Sequence, residues 1–282
     1  RLIRQGYKVA ICEQMEDPKE AKKRGYKSVV KREVIRLVTP GTLTEDNLLD
    51  SKKNNFMLAI TRHNDSFGIA WVDVSTGDFY TQTISLKDKS EPAVLSSVLA
   101  RLNPVEIIVS DSYLQNPDLF NILNEYREKL TVLPQARFNS ENAQKGKLPR
   151  IETPVKLYEN KVMEIDGSTR RSLELLESAG GDKGNSLLNV MDRTITGAAG
   201  RLLASRISTP LLDIAEINSR LDIVEFFIAN PQIRNDFREL LRRCPDIERA
   251  VSRLSLGRGG PRDLAAVRDA LEIIPAVKTL LL

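Results

Sequence analysis

The pattern of apolar and polar positions divides the chain into a strand-rich first half and a helical second half. Up to about residue 134, apolar runs of strand length alternate with turn residues. From about residue 156 onward, apolar side chains recur three or four positions apart, which is the spacing of an amphipathic helix. The pattern therefore predicts an α/β N-terminal part followed by an all-α part.

Three consecutive strands are predicted at 56–61, 67–74 and 77–84. The joins between them are short, so neighbouring strands are expected to pair as antiparallel hairpins. A helix, a strand, a second helix and a short final strand follow between residues 93 and 133. This β-β-β-α-β-α-β order predicts a ribonuclease-H-like layout, in which a meander continues into a mixed sheet covered by helices.

Two further strands, at 7–13 and 29–38, are predicted ahead of this sheet. Asp17 and Pro18 open a short helix between them, because proline is tolerated at the first helical position. The polar stretch 43–53 is expected to be a linker.

Cap residues mark the helices of the second half. Ser168, Asp213 and Asp246 are predicted N-caps, and Pro261 is predicted to begin the last helix. Pro275 lies within the last helical pattern and is expected to kink or break it, because proline lacks the N–H that a helix interior requires.

Composition favours an ordinary globular protein, since the 282 residues are 41% hydrophobic and 28% charged. No apolar run approaches the roughly 18 residues that span a bilayer. Cys12 and Cys244 are far apart in sequence, which argues against a disulfide framework or a four-ligand zinc site and favours a reducing cytoplasm. Both cysteines are expected to act as small packing residues.

Positive charge is concentrated near the N-terminus, where residues 1–36 contain eleven Lys or Arg side chains against five acidic ones. Such a stretch is compatible with contacts to phosphate, although an ordinary solvated face is the simpler interpretation. The candidates for non-specific contacts with a DNA backbone are Lys22, Lys23, Arg24, Lys27, Lys31 and Arg32.

Asp73 raises the question of a ribonuclease-H-like metal-dependent nuclease, which gathers several carboxylates around divalent ions. Glu106, Asp111 and Asp118 are the candidate partners, but their spacing does not place them beside Asp73. The simpler interpretation is that Asp73 orients the hairpin turn that follows it. His63, the single histidine, is expected to be a turn residue at a strand end. No catalytic, cofactor-binding or metal-binding residue is assigned.

Two Gly-rich stretches, 180–184 and 257–262, precede predicted helices, a position where anions can bind. Neither has the Gly-Lys-Ser/Thr ending of a phosphate-binding loop, so both are predicted to be turns between helices. Trp71, the single tryptophan, is expected to be a core residue and not a platform for stacking bases.

Several separate stretches carry motifs that are most informative when taken in order. They are residues 9–18, 36–42, 73–77, 163–175, 186–211 and 253–264. Together they resemble the bacterial MutS mismatch-repair family, and the resemblance covers nearly the whole chain. Arg206 and Ala198-Ala199 depart from residues common in that family.

The resemblance implies a division into three parts. Residues 1–48 would be the C-terminal remnant of the mismatch-binding domain, 49–149 the connector domain, shortened near 138–149, and 150–282 part of the helical core or lever domain. The chain is accordingly expected to be an internal piece of a larger protein.

The family as a whole implies a homodimer that encircles mismatched double-stranded DNA and couples recognition to an ATPase. Its mismatch-reading element would lie upstream of Arg1 and its ATP site downstream of Leu282. ATP and magnesium are therefore implied for the full-length protein and no cofactor for this chain. A MutL-type partner would bind through the connector, and the chain itself would relay a signal and not act as an enzyme.

Overall fold

The computed structural model describes most of the chain. The described residues are 2–3, 7–25, 28–87, 90–138, 153–156, 162–178 and 185–282. Three of the sequence predictions fall outside them. They are the DNA-contact candidate Lys27, the shortened stretch from residue 139 to 149, and the Gly-rich stretch 180–184.

The first unit is a two-stranded antiparallel ribbon, formed by β1 (Val9–Gln14) and β2 (Arg32–Val38), with helix α1 (Pro18–Lys23) between the strands. The carboxylate of Asp17 caps α1 by accepting the Lys19 N–H, as the sequence predicted. The prediction that Cys12 packs inside the protein is wrong. Cys12 is exposed, because five of the six positions of β1 in this thin ribbon are exposed.

The second unit is a six-stranded mixed sheet. Its strands are β3 (Met57–His63), β4 (Ser66–Val72), β5 (Phe79–Ser85), β6 (Glu106–Ser110), β7 (Leu130–Leu133) and β8 (Val155–Lys156). They lie in the order β7-β6-β3-β4-β5-β8. The predicted hairpins β3–β4 and β4–β5 are antiparallel, whereas β6 pairs in parallel with both β3 and β7.

Helices α2 (Glu91–Leu102) and α3 (Pro117–Glu125) cover this sheet and bury one face of it. Apolar side chains alternate with less buried ones along β3 and β4, which is the expected pattern for strands under a helical layer. The fully or almost fully buried core includes Leu58, Ile60, Phe67, Ile69, Leu95, Leu99, Ile107, Val109 and Leu123.

The remaining described residues are mainly helical. The helices are α4 (Gly167–Ser172), α5 (Leu187–Met191), α6 (Gly197–Ser208), α7 (Ile214–Ala229), α8 (Pro231–Arg242), α9 (Ile247–Ser255) and α10 (Pro261–Leu281). The mixed-sheet part followed by a helical part is the fold class that the sequence predicted. Among the described helices, none is long and apolar enough to cross a membrane.

The helix boundaries correct some sequence predictions. Asp166, not Ser168, caps α4, because its carboxylate reaches the Thr169 N–H at 2.9 Å while Ser168 already belongs to the first turn. Asp213 and Asp246 are N-caps as predicted.

Two prolines have different effects on the helices. Pro231 is the first residue of α8 and follows closely on the end of α7. Pro275 was expected to kink or break the last helix, but it does not break it. Helix α10 continues through Pro275, and the Pro275 carbonyl accepts the hydroxyl of Thr279 at 3.0 Å. A proline removes one N–H from the helical ladder, and the hydrogen bonds on either side keep this helix intact.

A candidate interdomain coupling site

The segment between the ribbon and the sheet, residues 39–55, is called here the junction segment. The sequence predicted a polar linker at 43–53, yet Leu43 and Thr44 are buried. Hydrogen bonds from the sheet and from the helical part hold the junction segment along its length. It is therefore a point where all three parts of the chain meet.

The junction segment begins with a tight turn at Pro40–Thr42, where proline and glycine end β2 as predicted. The Thr42 hydroxyl accepts the Thr39 N–H at 2.9 Å and stabilises this turn. Farther along, the side-chain amide of Asn55 donates to the Pro40 carbonyl at 2.8 Å. The two ends of the junction segment are thus joined directly.

Asp73 holds the end of the junction segment on the sheet. Its fully buried carboxylate accepts the N–H of Asn55 at 2.7 Å, and the N–H and hydroxyl of Ser75 at 2.9 and 2.6 Å. Asp73 therefore organises the turn after β4, which confirms the simpler of the two sequence interpretations.

The other carboxylates considered for a nuclease are engaged elsewhere. Buried Glu106 accepts hydrogen bonds from Gly41 and Thr131, and Asp111 accepts the Gln135 N–H. Asp118 is exposed in the first turn of α3. Within the described ranges, no group of three or more His, Cys, Asp or Glu residues could hold a metal ion. The nuclease alternative has no support in this geometry.

His63 is exposed at the end of β3, as expected.

Three arginines from the helical part, Arg201, Arg249 and Arg253, bind the opposite side of the junction segment and are called here the arginine clamp. Arg201 on α6 donates to the Ser51 carbonyl at 2.8 Å and forms ion pairs with Asp246 and Glu248, both at 2.7 Å. Burial disfavours its charge, but hydrogen bonds to these carboxylates outweigh burial and raise the pKa of Arg201.

Arg249 on α9 is the most deeply buried member of the clamp, at 2% exposure. It donates to the carbonyls of Asp50 and Lys53 at 3.1 and 3.0 Å. Burial, together with the nearby charge of Arg201, lowers the pKa of the Arg249 guanidinium. A buried cation held mainly by main-chain carbonyls fixes the path of the junction segment, because moving the segment would strip the cation of its acceptors.

Arg253 joins α9, the start of α10 and the junction segment. Its guanidinium contacts Asp46 at 2.6 Å and donates from Nε to Asp263 at 2.8 Å. Burial opposes the charge, but the hydrogen bond to Asp263 outweighs it and the pKa of Arg253 is raised. On the same helix, the Ser252 hydroxyl donates to the Val74 carbonyl at 2.7 Å. Helix α9 therefore contacts both the junction segment and the turn organised by Asp73.

A lysine of the junction segment makes the reciprocal contact. Lys52 donates to the Asp192 carboxylate at 2.8 Å and to the Thr194 carbonyl at 3.0 Å. Burial opposes ionisation of Asp192, but hydrogen bonds from Lys52 and Thr194 lower its pKa to about 2. The loop before α6 is thereby fixed to the junction segment.

Glycines allow α6 to approach the junction segment closely. A Cβ on Gly197 would lie 2.6 Å from the Ser51 carbonyl oxygen, and one on Gly200 would lie 2.7 Å from the Lys52 Cγ. Neither distance leaves room for a side chain without displacement. The contact therefore depends on glycine at two positions one helical turn apart.

A cleft of about 380 Å³ adjoins the arginine clamp between the sheet and α6. Trp71 is buried there, as predicted for a core residue, with its ring stacked on Tyr80 and the Arg101 guanidinium 5.6 Å from its centre. Burial and the charge of Arg170 lower the pKa of Arg101 to about 10. The sheet and α6 are thus not in continuous contact beside Arg201, which also lines the cleft.

The described candidates for DNA contacts lie on the ribbon and on the helix between its strands. Lys22 and Lys23 form the last turn of α1, and Arg32 begins β2. Arg24 pairs with Glu16, and exposed Lys31 pairs with Glu33 at 2.8 Å, a contact that raises the pKa of Lys31 through its hydrogen bond. The acidic partners reduce the charge that these two cations present to a phosphate backbone.

Sequence reasoning assigned no role to the arginine clamp. Arg201 and Arg253 occur in stretches that carry the family resemblance, but each makes its contacts with residues far away in the chain. The available signal was the spacing of Arg249 and Arg253, which lie four residues apart on the face of α9 that also buries Ala250. Arginines on the buried face of a helix indicate that carboxylates or carbonyls lie opposite.

Comparisons with known proteins place the chain in a family. Family models described as MutS domain I, MutS domain II and MutS domain III match residues 1–47, 55–149 and 168–282. The DNA mismatch repair protein MutS of Ruegeria pomeroyi is 42% identical over 316 aligned positions, covering 99% of this chain and 35% of the relative.

Two further relatives give the same result. The DNA mismatch repair proteins MutS of Roseobacter denitrificans and Nitrobacter winogradskyi are 42% and 41% identical, and each alignment covers 96% of this chain and 34% of the relative. The chain thus spans about a third of the length of these curated relatives. With three domain models matched in order, the chain belongs to the MutS family of DNA mismatch repair proteins.

Proposed function

We propose that this chain serves as the connector and the first lever helices of a protein that binds mismatched DNA and couples recognition to an ATPase. Its three parts would be the remnant of the mismatch-binding domain at 1–48, the connector at 49–149 and the partial lever at 150–282. The order of the family matches supports this division. A connector shortened near 138–149 is part of the proposal.

The observation that carries the proposal is the convergence of the arginine clamp on the junction segment. Arg249 and Arg253 lie on one helix, and their acceptors lie between the ribbon and the sheet. A displacement of α9 must therefore move the junction segment or break buried charged contacts, which is costly. Such a junction can transmit a change of position from the lever helices to the DNA-binding side.

The ribonuclease-H-like layout of the connector is part of the proposal. Strands β5, β4 and β3 form an antiparallel meander, and β6 and β7 extend it in parallel on the other side of β3. This order supports that layout. On the same proposal the connector is a scaffold, because Asp73 serves a turn and not a metal ion.

ATP and magnesium act, in this proposal, elsewhere in the full-length protein. The Gly-rich turn between α9 and α10 lacks the Gly-Lys-Ser/Thr ending of a phosphate-binding loop, so the proposal assigns no ATP site to it. The full-length protein would act in the cytoplasm as a homodimer on mismatched double-stranded DNA. It would contact a MutL-type partner through the connector.

A chimera tests the proposal. The matching section of the Ruegeria pomeroyi protein would be replaced by this chain, and ATP turnover measured with matched and mismatched duplexes. We expect the mismatch to change ATP turnover in the chimera in the same direction as in the parent. A folded chimera that still binds the mismatched duplex, but whose ATP turnover is the same with matched and mismatched DNA, would contradict the proposal.

A further inference from the structure

A buried carboxylate on the sheet contacts one end of the ribbon directly and the other end through a threonine of β7. Glu106, the first residue of β6, is 3% exposed. Its Oε2 accepts the Thr39 hydroxyl and the Gly41 N–H, the latter at 3.0 Å. Its Oε1 accepts the Thr131 hydroxyl at 2.6 Å, and that hydroxyl oxygen accepts a hydrogen bond from the Lys8 ammonium at 2.6 Å.

The network joins the two residues that flank the ribbon in the chain. Lys8 immediately precedes β1, and Thr39 immediately follows β2. The chain therefore enters and leaves the ribbon beside the same carboxylate, with Thr131 of β7 as the bridge on one side. Two anchor points fix the direction of a ribbon, whereas one would leave it free to swing.

The close approach at Gly41 shows that the contact is built into the backbone. A Cβ at this position would lie 2.8 Å from the Glu106 Oε2 and 2.8 Å from the Met57 Cβ. Only glycine lets the main-chain N–H reach the carboxylate at this distance. Hydrogen bonds to an ionised acceptor are stronger than those between neutral groups, and the buried donors have lost their water.

We infer that Glu106 is a positioning residue, which sets the orientation of the ribbon on the connector sheet through both of its carboxylate oxygens. The role in signalling rests on the proposed function, because the ribbon would be the remnant of the mismatch-binding domain. The geometric role does not rest on it and is measured on this chain alone, without DNA or nucleotide.

Spin labels on two thiols report the orientation. Exposed Cys12 supplies one thiol on the ribbon, Asp118→Cys supplies another on exposed α3, and Cys244→Ser removes the remaining cysteine. Pulsed dipolar spectroscopy then measures the distribution of distances between ribbon and connector. We expect Glu106→Ala to widen this distribution at least about twofold, because Thr39 and Gly41 lose their acceptor and the Thr131 hydroxyl, which accepts from Lys8, loses the carboxylate that orients it.

Three variants distinguish a loss of ribbon orientation from a general loss of folded structure. Glu106→Gln should keep the narrow distribution, since its carbonyl can accept from Gly41 and its amide can donate to Thr131. Ser110→Ala, which removes another buried polar side chain of β6, should leave the distribution unchanged. Lys8→Met alters an exposed residue and should widen the distribution by a smaller factor, which keeps the test decisive if Glu106→Ala fails to fold.

The inference is overturned if folded Glu106→Ala keeps the parent distribution, or if Ser110→Ala widens it equally. If Glu106→Ala does not fold, an unchanged distribution in Lys8→Met overturns it. The two claims can fail separately. If the ATP turnover of the chimera does not respond to a mismatch but Glu106→Ala widens the distance distribution, the proposed function is rejected and the positioning role of Glu106 remains.

Discussion

The six-stranded sheet and the junction segment are stabilised by opposite kinds of contact. Apolar side chains such as Leu58 of the sheet and Leu99 of α2 pack together in the core, and this attraction has little directional preference. The junction segment is held by guanidinium groups on carbonyls and carboxylates, whose hydrogen bonds require particular positions. Moving the junction segment would therefore leave buried guanidinium groups or carbonyls without a partner, which is costly.

The largest expected effect on the free energy of unfolding comes from the apolar core between the sheet and its helices. Leu99→Ala removes a fully buried side chain from the core and should lower the free energy of unfolding by about 3 kcal/mol. Denaturant unfolding followed by the fluorescence of Trp71, the only tryptophan, measures it. Val132→Ala, at an exposed position of β7, is the control and should cost far less. Equal losses would show that the sheet has no dominant core.

Breaking the clamp should cost less stability but change the junction locally. Arg201→Met should lower the free energy of unfolding by about 2 kcal/mol, because Asp246 and the Ser51 carbonyl lose their buried partner. Hydrogen exchange should accelerate in residues 43–54. Arg206→Met changes an exposed arginine of the same helix and should have little effect. If residues 43–54 exchanged at the same rate in both variants, Arg201 would not hold the junction segment.

Close packing offers a third comparison. Gly197→Ala should destabilise the contact between α6 and the junction segment by about 1–3 kcal/mol, because the new Cβ would lie 2.6 Å from the Ser51 carbonyl oxygen. Thermal unfolding measures the loss. At Gly260, where no atom lies within 4 Å of a Cβ, alanine should be nearly neutral. A neutral Gly197→Ala would mean that α6 is not fixed against the segment.

Acid should weaken the Lys52–Asp192 contact. Hydrogen bonds from Lys52 and Thr194 outweigh burial and lower the folded-state pKa of Asp192 from 3.8 to about 2. A lowered carboxylate pKa stabilises the folded state above the unfolded pKa, so the contribution should be lost as the pH falls from about 4 to about 2. Unfolding measured from pH 7 to pH 2 should therefore decline less in Asp192→Asn than in the parent. Parallel curves would contradict this.

The smallest expected effect concerns the ribbon. Binding of duplex DNA by this chain should be weak, non-specific and sensitive to salt. Lys22→Ala combined with Lys23→Ala should reduce the salt dependence, with a slope lower by about one for each phosphate that the protein no longer neutralises. Arg24→Ala should matter less, since Arg24 already pairs with Glu16. Affinity that does not respond to salt would exclude these contacts.

The fold could be predicted where the signal was local. Alternation and helical spacing located the strands and most of the helices, and Asp213 and Asp246 were identified as caps because aspartate favours that position. Where two candidates stood close together, as at Asp166 and Ser168, the sequence could not decide between them. Pro275 was expected to kink or break the last helix, yet α10 continues through it.

The candidate site could not be predicted in the same way. Arg249 binds carbonyls about 200 positions earlier in the chain, and a local periodic pattern cannot predict a contact between such distant residues. Glu106 was considered as a metal ligand because a carboxylate at the start of a strand suits either role. Its true surroundings, a glycine N–H and two hydroxyls, became evident only once the ribbon and the sheet had been brought together.

The central claim is that the arginine clamp couples the lever helices to the DNA-binding side. The most direct test is the ratio of ATP turnover with mismatched DNA to turnover with matched DNA, measured in the chimera carrying Arg249→Met. The account predicts that this ratio falls toward one while binding of mismatched DNA persists, and that the Arg206→Met chimera keeps the parent ratio. An unchanged ratio in a folded Arg249→Met chimera would contradict it.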